Sequence, residues 1–169
     1  ISTSLLIFSL PIILLAGVLI YLEDNGPVFY SQKRTGYLNG DFTIWKLRSM
    51  RVDAEEDGIK WSSKNDSRVT RVGSFIRKTR IDELPQLCSV FIGNMSLIGP
   101  RPERPEIDTF LMKKIPFYSM RYLLRPGLSG WAQVNYPYGA SIQDSAKKLS
   151  YDIYYISHFS FLLDFLILI

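Results

Sequence analysis

The first 22 residues carry no charge, and the stretch from Leu5 to Leu22 is almost continuously apolar. A helix that crosses the hydrocarbon core of a bilayer needs about 20 apolar residues, so this segment is long enough to enter a membrane. Pro11 lies in its middle with Ser9 two residues before it, and proline kinks or breaks a helix. Two structures fit: a kinked single-pass anchor, or a re-entrant helix–break–helix that enters and leaves by the same face. We therefore expect a membrane-embedded segment over residues 1–24.

Patterns of β-branched, aromatic and helical spacing divide the rest of the chain. Val28–Thr35 and Phe42–Leu47 read as strands, and the Asn39-Gly40 pair between them predicts a hairpin. Apolar positions that recur every three to four residues predict amphipathic helices further on. These helices are expected over Gly73–Arg80, from Asp82 to Phe91, over Glu106–Ile115 and over Ser141–Ile156.

Two of these predictions concern individual side chains. Leu84, Leu87, Cys88 and Phe91 recur at i, i+3, i+4 and i+7, which places Cys88 in the core and Asp82 at the N-cap of their helix. In the helix that begins after Ser141, the pair formed with an acidic residue three positions later is typical of a capping box.

The last predicted element, over Phe159–Ile169, is apolar but too short to cross a bilayer, and it carries Asp164. We expect it to lie at the membrane surface. The fold class is accordingly α+β and helix-dominated, with a small β-hairpin or sheet and amphipathic interfacial helices. The predicted division is a membrane segment over residues 1–24 and a body over residues 25–169.

Composition and charge narrow the class of protein. One cysteine and one histidine exclude a disulfide-stapled module and a Cys/His zinc site. Every basic residue follows the apolar run, which favours a cytoplasmic body by the positive-inside rule. The formal charge of +4 allows an anionic ligand or lipid surface as partner. The basic residues form no continuous run, so nucleic acid is not expected as a partner.

The adjacent carboxylates Asp82 and Glu83 have two interpretations. An acidic first turn stabilises a helix through its dipole, which is reason enough for both residues. Arg77 and Arg80 lie just upstream, however, and nearby cations keep a carboxylate ionised. An ionised aspartate can attack phosphorus, and a neighbouring glutamate suits Mg²⁺, which prefers oxygen ligands.

The basic residues are also open to two interpretations. Arginine's planar fork suits phosphate recognition, but a solvated basic face against anionic lipid explains the same charges. Arg101 stands out because Pro100 and Pro102 stiffen the backbone on both sides of it. The candidates for phosphate binding are Lys46, Arg48, Arg77, Arg80 and Arg101.

Five segments carry ordered motifs: Lys46–Met50, Ile81–Leu87, Gly93–Pro102, Arg125–Asn135 and Tyr151–Tyr155. In that order they resemble the motifs of the bacterial sugar transferase family, the monotopic polyprenyl-phosphate phosphoglycosyl transferases, here of the exopolysaccharide type. The resemblance implies transfer of a hexose-1-phosphate from a UDP-sugar to undecaprenyl phosphate with release of UMP.

Residue roles follow from the same resemblance. Asp82 would be the nucleophile that forms a phosphosugar intermediate, and Glu83 with Asp82 would bind Mg²⁺. Lys46, Arg77 and Arg101 match positions that handle phosphate and nucleotide. Asp164 matches a functionally important acidic position, and Asp152 is a further candidate.

The resemblance also bears on location. It implies a re-entrant membrane helix with its hinge at Ser9 and Pro11, on the cytoplasmic face of the bacterial inner membrane. Leu10 separates the two hinge residues, where relatives often have Ser followed directly by Pro. The loop from Tyr136 to Ser141 lacks the basic residue that some relatives carry there.

Two questions stay open at this point. The protein could be a monomer or a homodimer. The alternative function is a non-catalytic, membrane-anchored binder of anionic lipid or nucleotide.

Overall fold

The computed structural model describes residues 2–56, 58, 66–137, 139 and 141–169. Within them the chain is helix-dominated with two small sheets, which confirms the predicted α+β class. Short 3₁₀ helices cover Tyr37–Asn39, Ile81–Gln86 and Tyr118–Leu123. The strands are β1 (Phe29–Thr35), β2 (Asp41–Leu47), β3 (Ser96–Ile98) and β4 (Gly127–Ser129). The helices are α1 (Ser2–Asp24), α2 (Arg71–Lys78), α3 (Leu87–Ile92), α4 (Pro105–Met112), α5 (Trp131–Asn135), α6 (Ile142–His158) and α7 (Phe161–Leu168).

Contacts divide the chain into two compact units. The first comprises Ile1–Ser31 and Trp45–Cys88, and the second comprises Gln32–Ile44 and Ser89–Ile169. The predicted hairpin of β1 and β2 is present and contributes residues to both units. The predicted boundary between a membrane segment and a body concerns the bilayer, and it stays a prediction.

In the first unit, α1 packs against α2 and the 3₁₀ helix Ile81–Gln86. The shared core contains Ile13, Ile20, Leu47 and Ile76. Glu23 at the end of α1 accepts the backbone N–H groups of Arg71 and Val72, at 2.8 and 3.2 Å, so that its carboxylate caps α2. Thr70 caps the same helix through Gly73 N–H. The end of α1 is thereby fastened to the body of its unit.

Helix α1 is the one described helix that is long and apolar enough to cross a membrane, judged by length and composition. It continues through Pro11 as a single helix, so the predicted break in its secondary structure is absent. The Ser9 hydroxyl donates to the Leu6 carbonyl at 2.9 Å rather than to that of Ile7, the carbonyl that Pro11 leaves without its N–H partner. The re-entrant path stays a prediction.

In the second unit, β3 and β4 pair in parallel, with Ser96 opposite Gly127 and Ile98 opposite Ser129. This pairing was not predicted, because strands of three residues are too short to show an alternating pattern. Glycine is required at the contact: a Cβ on Gly127 would lie 2.1 Å from the Gly99 nitrogen.

Helix α6 begins with the predicted capping box. The Ser141 hydroxyl accepts the Asp144 N–H at 3.0 Å, and the Asp144 carboxylate accepts the Ser141 N–H at 3.1 Å. Leu149 from this helix packs in a core with Leu111 and Tyr118. A second core joins α6 to α7 through Tyr155, Leu163 and Ile167.

The predicted helix from Asp82 to Phe91 is partly wrong. Its first turn and a half is the 3₁₀ helix Ile81–Gln86, and α3 begins only at Leu87. A 3₁₀ helix has three residues per turn, whereas α3 has 3.6. The side chains of α3 are therefore rotated out of the apolar stripe that a continuous α-helix would form. Cys88 is therefore exposed rather than in the core, and Phe91 is 61% exposed. Asp82 lies inside the 3₁₀ helix, and Arg80 occupies the cap position instead.

Candidate active site

The two adjacent carboxylates of the first unit lie on the 3₁₀ helix Ile81–Gln86. Arg80 precedes it in the left-handed conformation with φ of 59°, which turns the chain sharply after α2. Asp82 and Glu83 are 8% and 7% exposed, so both acidic side chains are buried. Burying a carboxylate costs several kcal/mol unless a cation and hydrogen bonds compensate it. The site must therefore supply positive charge.

Lys46 supplies that charge from strand β2. Its Nζ lies 2.9 Å from Glu83 Oε1, and both side chains are largely buried. Arg80 lies 3.7 Å from the other Glu83 oxygen, but its own side chain is 70% exposed and therefore well solvated. The structure thus brings together Lys46, Arg80 and Glu83, three of the site residues predicted from the sequence. Asp82 directly precedes Glu83 in the chain. Arg77, in the last turn of α2, is half-buried in the same unit.

Arg48 has other partners. Its Nη1 and Nη2 donate to the two carboxylate oxygens of Asp24, each at 2.5 Å, and its Nε donates to the Pro27 carbonyl at 2.5 Å. The fork of this buried arginine is thus held by protein acceptors at the end of α1. Asp24 was not predicted as its partner, because nothing in the spacing of 24 residues links the two. These bonds give Arg48 a structural role, which accounts for its burial without a bound phosphate.

In the second unit, Arg101 lies in the loop between β3 and α4 and is half-buried. Asp152 is 2% exposed on α6, with its carboxylate 3.0 Å from the Arg121 guanidinium. A carboxylate in this position is a buried counterion. The substrate-binding role expected for Asp152 stays a prediction. Arg121 lies in none of the five motifs, and its role was not predicted from the sequence.

Asp164 lies in the first turn of α7, half-buried, and accepts a hydrogen bond from the Tyr155 hydroxyl at 2.6 Å. Burial, reinforced by this carboxylate, raises the pKa of the Tyr155 phenol. The bond links α6 to α7, so Asp164 has at least a structural function. His158 stacks on Tyr154 with ring centres 4.4 Å apart. In the loop after Asn135, Tyr138 and Ala140 lie outside the described residues.

Comparison with known proteins identifies the family of the chain. Residues 1–169 match the family described as bacterial sugar transferase. The chain belongs to the bacterial sugar transferase family. A UDP-N-acetylgalactosamine-undecaprenyl-phosphate N-acetylgalactosaminephosphotransferase of Aeromonas hydrophila is 52% identical to it over 158 residues, which are 93% of this chain and 37% of that protein.

Two further relatives of the chain differ from each other in the sugar that their names give. A putative undecaprenyl-phosphate N-acetylgalactosaminyl 1-phosphate transferase of Bacillus subtilis is 51% identical, covering 69% of this chain and 65% of that protein. A UDP-glucose:undecaprenyl-phosphate glucose-1-phosphate transferase of Xanthomonas campestris is 40% identical, covering 94% and 34%. The chain spans about a third of the Aeromonas and Xanthomonas proteins and 65% of the Bacillus one.

The acidic pair has the donor chemistry that suits a divalent cation. Among the described residues, no group of three or more His, Cys, Asp or Glu side chains could enclose a metal ion. Mg²⁺ is commonly bound by one or two carboxylates, with substrate phosphates and water as the other ligands. Asp82 and Glu83 offer that oxygen-only donor set, with the Lys46 ammonium 2.9 Å from one oxygen of Glu83.

The buried acid of the second unit gives a prediction for pH dependence. Desolvation raises the pKa of Asp152 from 3.8 to about 6, against the opposing effect of Arg121. Between these values the unfolded chain releases a proton that the folded chain retains, so the free energy of unfolding falls by about 2 kcal/mol as the pH rises from 4 to 6. Asp152→Asn should remove this decline.

The measurement is the free energy of unfolding in detergent between pH 4 and 8. The curve of the wild type should fall relative to that of Asp152→Asn up to about pH 7 and then run parallel to it. In Asp53→Asn, which alters an exposed carboxylate of a turn, the decline should persist. Parallel curves for the wild type and Asp152→Asn over the whole range would contradict the raised pKa.

Proposed function

We propose that this chain transfers a hexose-1-phosphate from a UDP-sugar to undecaprenyl phosphate, through a covalent intermediate on Asp82, as the first step of polysaccharide assembly. The relatives named above carry undecaprenyl-phosphate and sugar-1-phosphate transfer in their names. The observation that supports it most directly is the buried acidic pair compensated by Lys46. A carboxylate kept buried beside a cation is typical of a reactive site more than of a solvated helix start.

In the first step a carboxylate oxygen of Asp82 attacks the phosphorus that bears the sugar. The new bond joins Asp82 to phosphorus, the bond from phosphorus to the bridging oxygen breaks, and UMP leaves with that oxygen. In the second step a phosphate oxygen of undecaprenyl phosphate attacks the same phosphorus and releases the Asp82 carboxylate. The product is an undecaprenyl diphosphosugar, and atoms balance over the two steps.

Positive charge is needed because anionic groups approach one another in both steps. Mg²⁺ held by Glu83 and Asp82 would supply part of it by withdrawing charge from the phosphates. Lys46 orients Glu83 through the 2.9 Å ion pair and offsets its charge. Arg77, Arg80 and Arg101 are proposed as phosphate ligands, whereas the bonds of Arg48 to Asp24 favour a structural role for it.

Large apolar side chains on two helices support a membrane location. Phe8 on α1 is 78% exposed and Phe161 on α7 is 88% exposed, and both have apolar neighbours that are also exposed. Such surfaces are unfavourable in water and mark contacts with lipid or protein. We propose that α1 is a re-entrant membrane helix and that α7 lies at the interface, on the cytoplasmic face of the bacterial inner membrane. A homodimer stays a prediction from the sequence.

Asp82→Asn tests the proposed activity. UMP release from UDP-N-acetylgalactosamine or UDP-glucose, in the presence of undecaprenyl phosphate and Mg²⁺, should fall by about three orders of magnitude or more, because the nucleophile is lost. Membrane association should be retained. The matched control is Asp53→Asn, which removes an exposed carboxylate of the same unit and should leave the rate unchanged.

Two outcomes would contradict the proposal. Undiminished turnover in Asp82→Asn would refute the nucleophile. Tight binding of the UDP-sugar by the wild type without any release of UMP would instead favour the alternative of a non-catalytic, membrane-anchored binder.

The re-entrant path can be tested by labelling single cysteines in intact cells after Cys88→Ser. Thr3→Cys lies at the start of α1, and Asp53→Cys lies in an exposed turn of the body. Both should be protected from an impermeant thiol reagent until the membrane is permeabilised, because both ends of a re-entrant helix face the cytoplasm. Labelling of Thr3→Cys but not of Asp53→Cys would show that the helix spans the bilayer.

A further inference from the structure

The loop that carries Arg101 is held by its carbonyl groups. Four consecutive carbonyls, those of residues 100–103, each accept a hydrogen bond from a different donor of the second unit. The donors are Gly127 N–H to Pro100 at 2.9 Å, Arg121 Nη2 to Arg101 at 2.8 Å, Arg34 Nη1 to Pro102 at 3.1 Å, and Thr35 N–H to Glu103 at 3.0 Å. Two of the four donors are arginine side chains, whose usual place is in solvent.

Arg121 is the more deeply buried of the two arginines. It is 6% exposed and lies against the rings of Tyr118 and Tyr122, at 5.0 and 5.7 Å from their centres. It donates to the Tyr118 hydroxyl and pairs with Asp152 at 3.0 Å. An arginine with this many partners is fixed in one orientation, since each bond is lost if the side chain rotates. Arg121 Nη2 also donates a hydrogen bond to the backbone carbonyl of Arg101.

The backbone at Arg101 has little freedom of its own. Pro100 and Pro102 fix their φ angles and restrict the residues that precede them. The orientation of the peptide between Arg101 and Pro102 is then set by what holds the Arg101 carbonyl, which is Arg121. A side chain on a fixed backbone loses less entropy when it binds an anion.

We propose that Arg121, with Asp152 as its counterion, is a positioning residue that fixes the backbone of Arg101 so that the Arg101 side chain is ready to bind the phosphates of a uridine nucleotide. This inference rests on the proposed function to the extent that it takes Arg101 as a phosphate ligand. Arg121 does not touch the nucleotide itself. It acts through Arg101, and this distinguishes it from a residue that only stabilises the fold.

A double-mutant cycle between Arg121 and Arg101 tests the inference, with the affinity for UDP as the readout. Arg101→Ala should weaken binding by about tenfold or more, as expected for a lost charge-assisted hydrogen bond. Arg121→Lys keeps the charge but lacks the two separate nitrogens that bond the Tyr118 hydroxyl and the Arg101 carbonyl, and should weaken binding by about fivefold. The double variant should bind no more weakly than Arg101→Ala, because coupled residues are not additive.

Arg68→Lys is the matched control. Arg68 also bridges a carboxylate and a backbone carbonyl, those of Asp66 and Ala54, but it lies in the first unit and holds a different loop. Its replacement should leave UDP affinity unchanged. Amide hydrogen exchange gives a second readout: in Arg121→Lys, exchange at Gly127 N–H, which is bonded to the same loop, should accelerate.

The outcomes separate this inference from the proposed function. Additive losses in the cycle, or unchanged affinity in either single variant, would overturn the positioning role even if Asp82→Asn abolished UMP release. A coupled cycle without any UMP release by the wild type would uphold the positioning role and refute the transferase activity. Should Arg121→Lys fail to fold, Asp152→Asn takes its place in the cycle, with the same coupling expected.

Discussion

The ion pair between Lys46 and Glu83 compensates the burial of the adjacent carboxylates in the first unit. Two acidic residues in succession, both buried, are an unfavourable feature of a short helix unless a cation accompanies them. Lys46 provides the cation from the end of strand β2, and the 3₁₀ geometry of Ile81–Gln86 brings Glu83 to it. Because α1 packs on the same 3₁₀ helix, the apolar helix and the acidic pair share one structural support.

Two buried arginines in this chain bond to backbone carbonyls and also pair with carboxylates. Arg48 joins Asp24 to the Pro27 carbonyl, and Arg121 joins Asp152 to the Arg101 carbonyl. In both places a carboxylate offsets the charge of the guanidinium, which also donates to a backbone carbonyl in a segment without regular structure. Arginine suits this use because its donors have fixed directions. The basic residues of the sequence therefore have different functions, which their charge alone does not reveal.

Local patterns predicted the elements whose causes are local. The hairpin of β1 and β2 and the capping box at Ser141 depend on residues within a few positions of each other, and both are present, although the left-handed pair of the turn is Leu38 and Asn39 instead of Asn39 and Gly40. The burial of Cys88 was predicted wrongly because a single helical period was assumed across Ile81–Gln86 and α3. The pairing of β3 with β4 joins residues about 30 positions apart, and no periodicity signals it.

The candidate site shows the same limit. The adjacent carboxylates and the proline-flanked Arg101 were visible in the sequence, and their motifs pointed to the family that the comparison confirmed. The partners of these residues were not visible. Asp24 for Arg48 and Arg121 for Asp152 come from distant parts of the chain and are brought together only by folding. Sequence thus indicated the groups proposed to react or to bind phosphate, whereas the structure was needed for the residues that hold them.

The central claim is that Asp82 forms a bond to phosphorus during turnover. The direct measurement is to quench the protein with UDP-sugar and Mg²⁺ in the absence of undecaprenyl phosphate, digest it, and weigh its peptides. The account predicts the added mass of a sugar phosphate on the peptide that contains Asp82, which disappears when the acceptor lipid is supplied. An adduct on another residue, or turnover without any adduct, would contradict it.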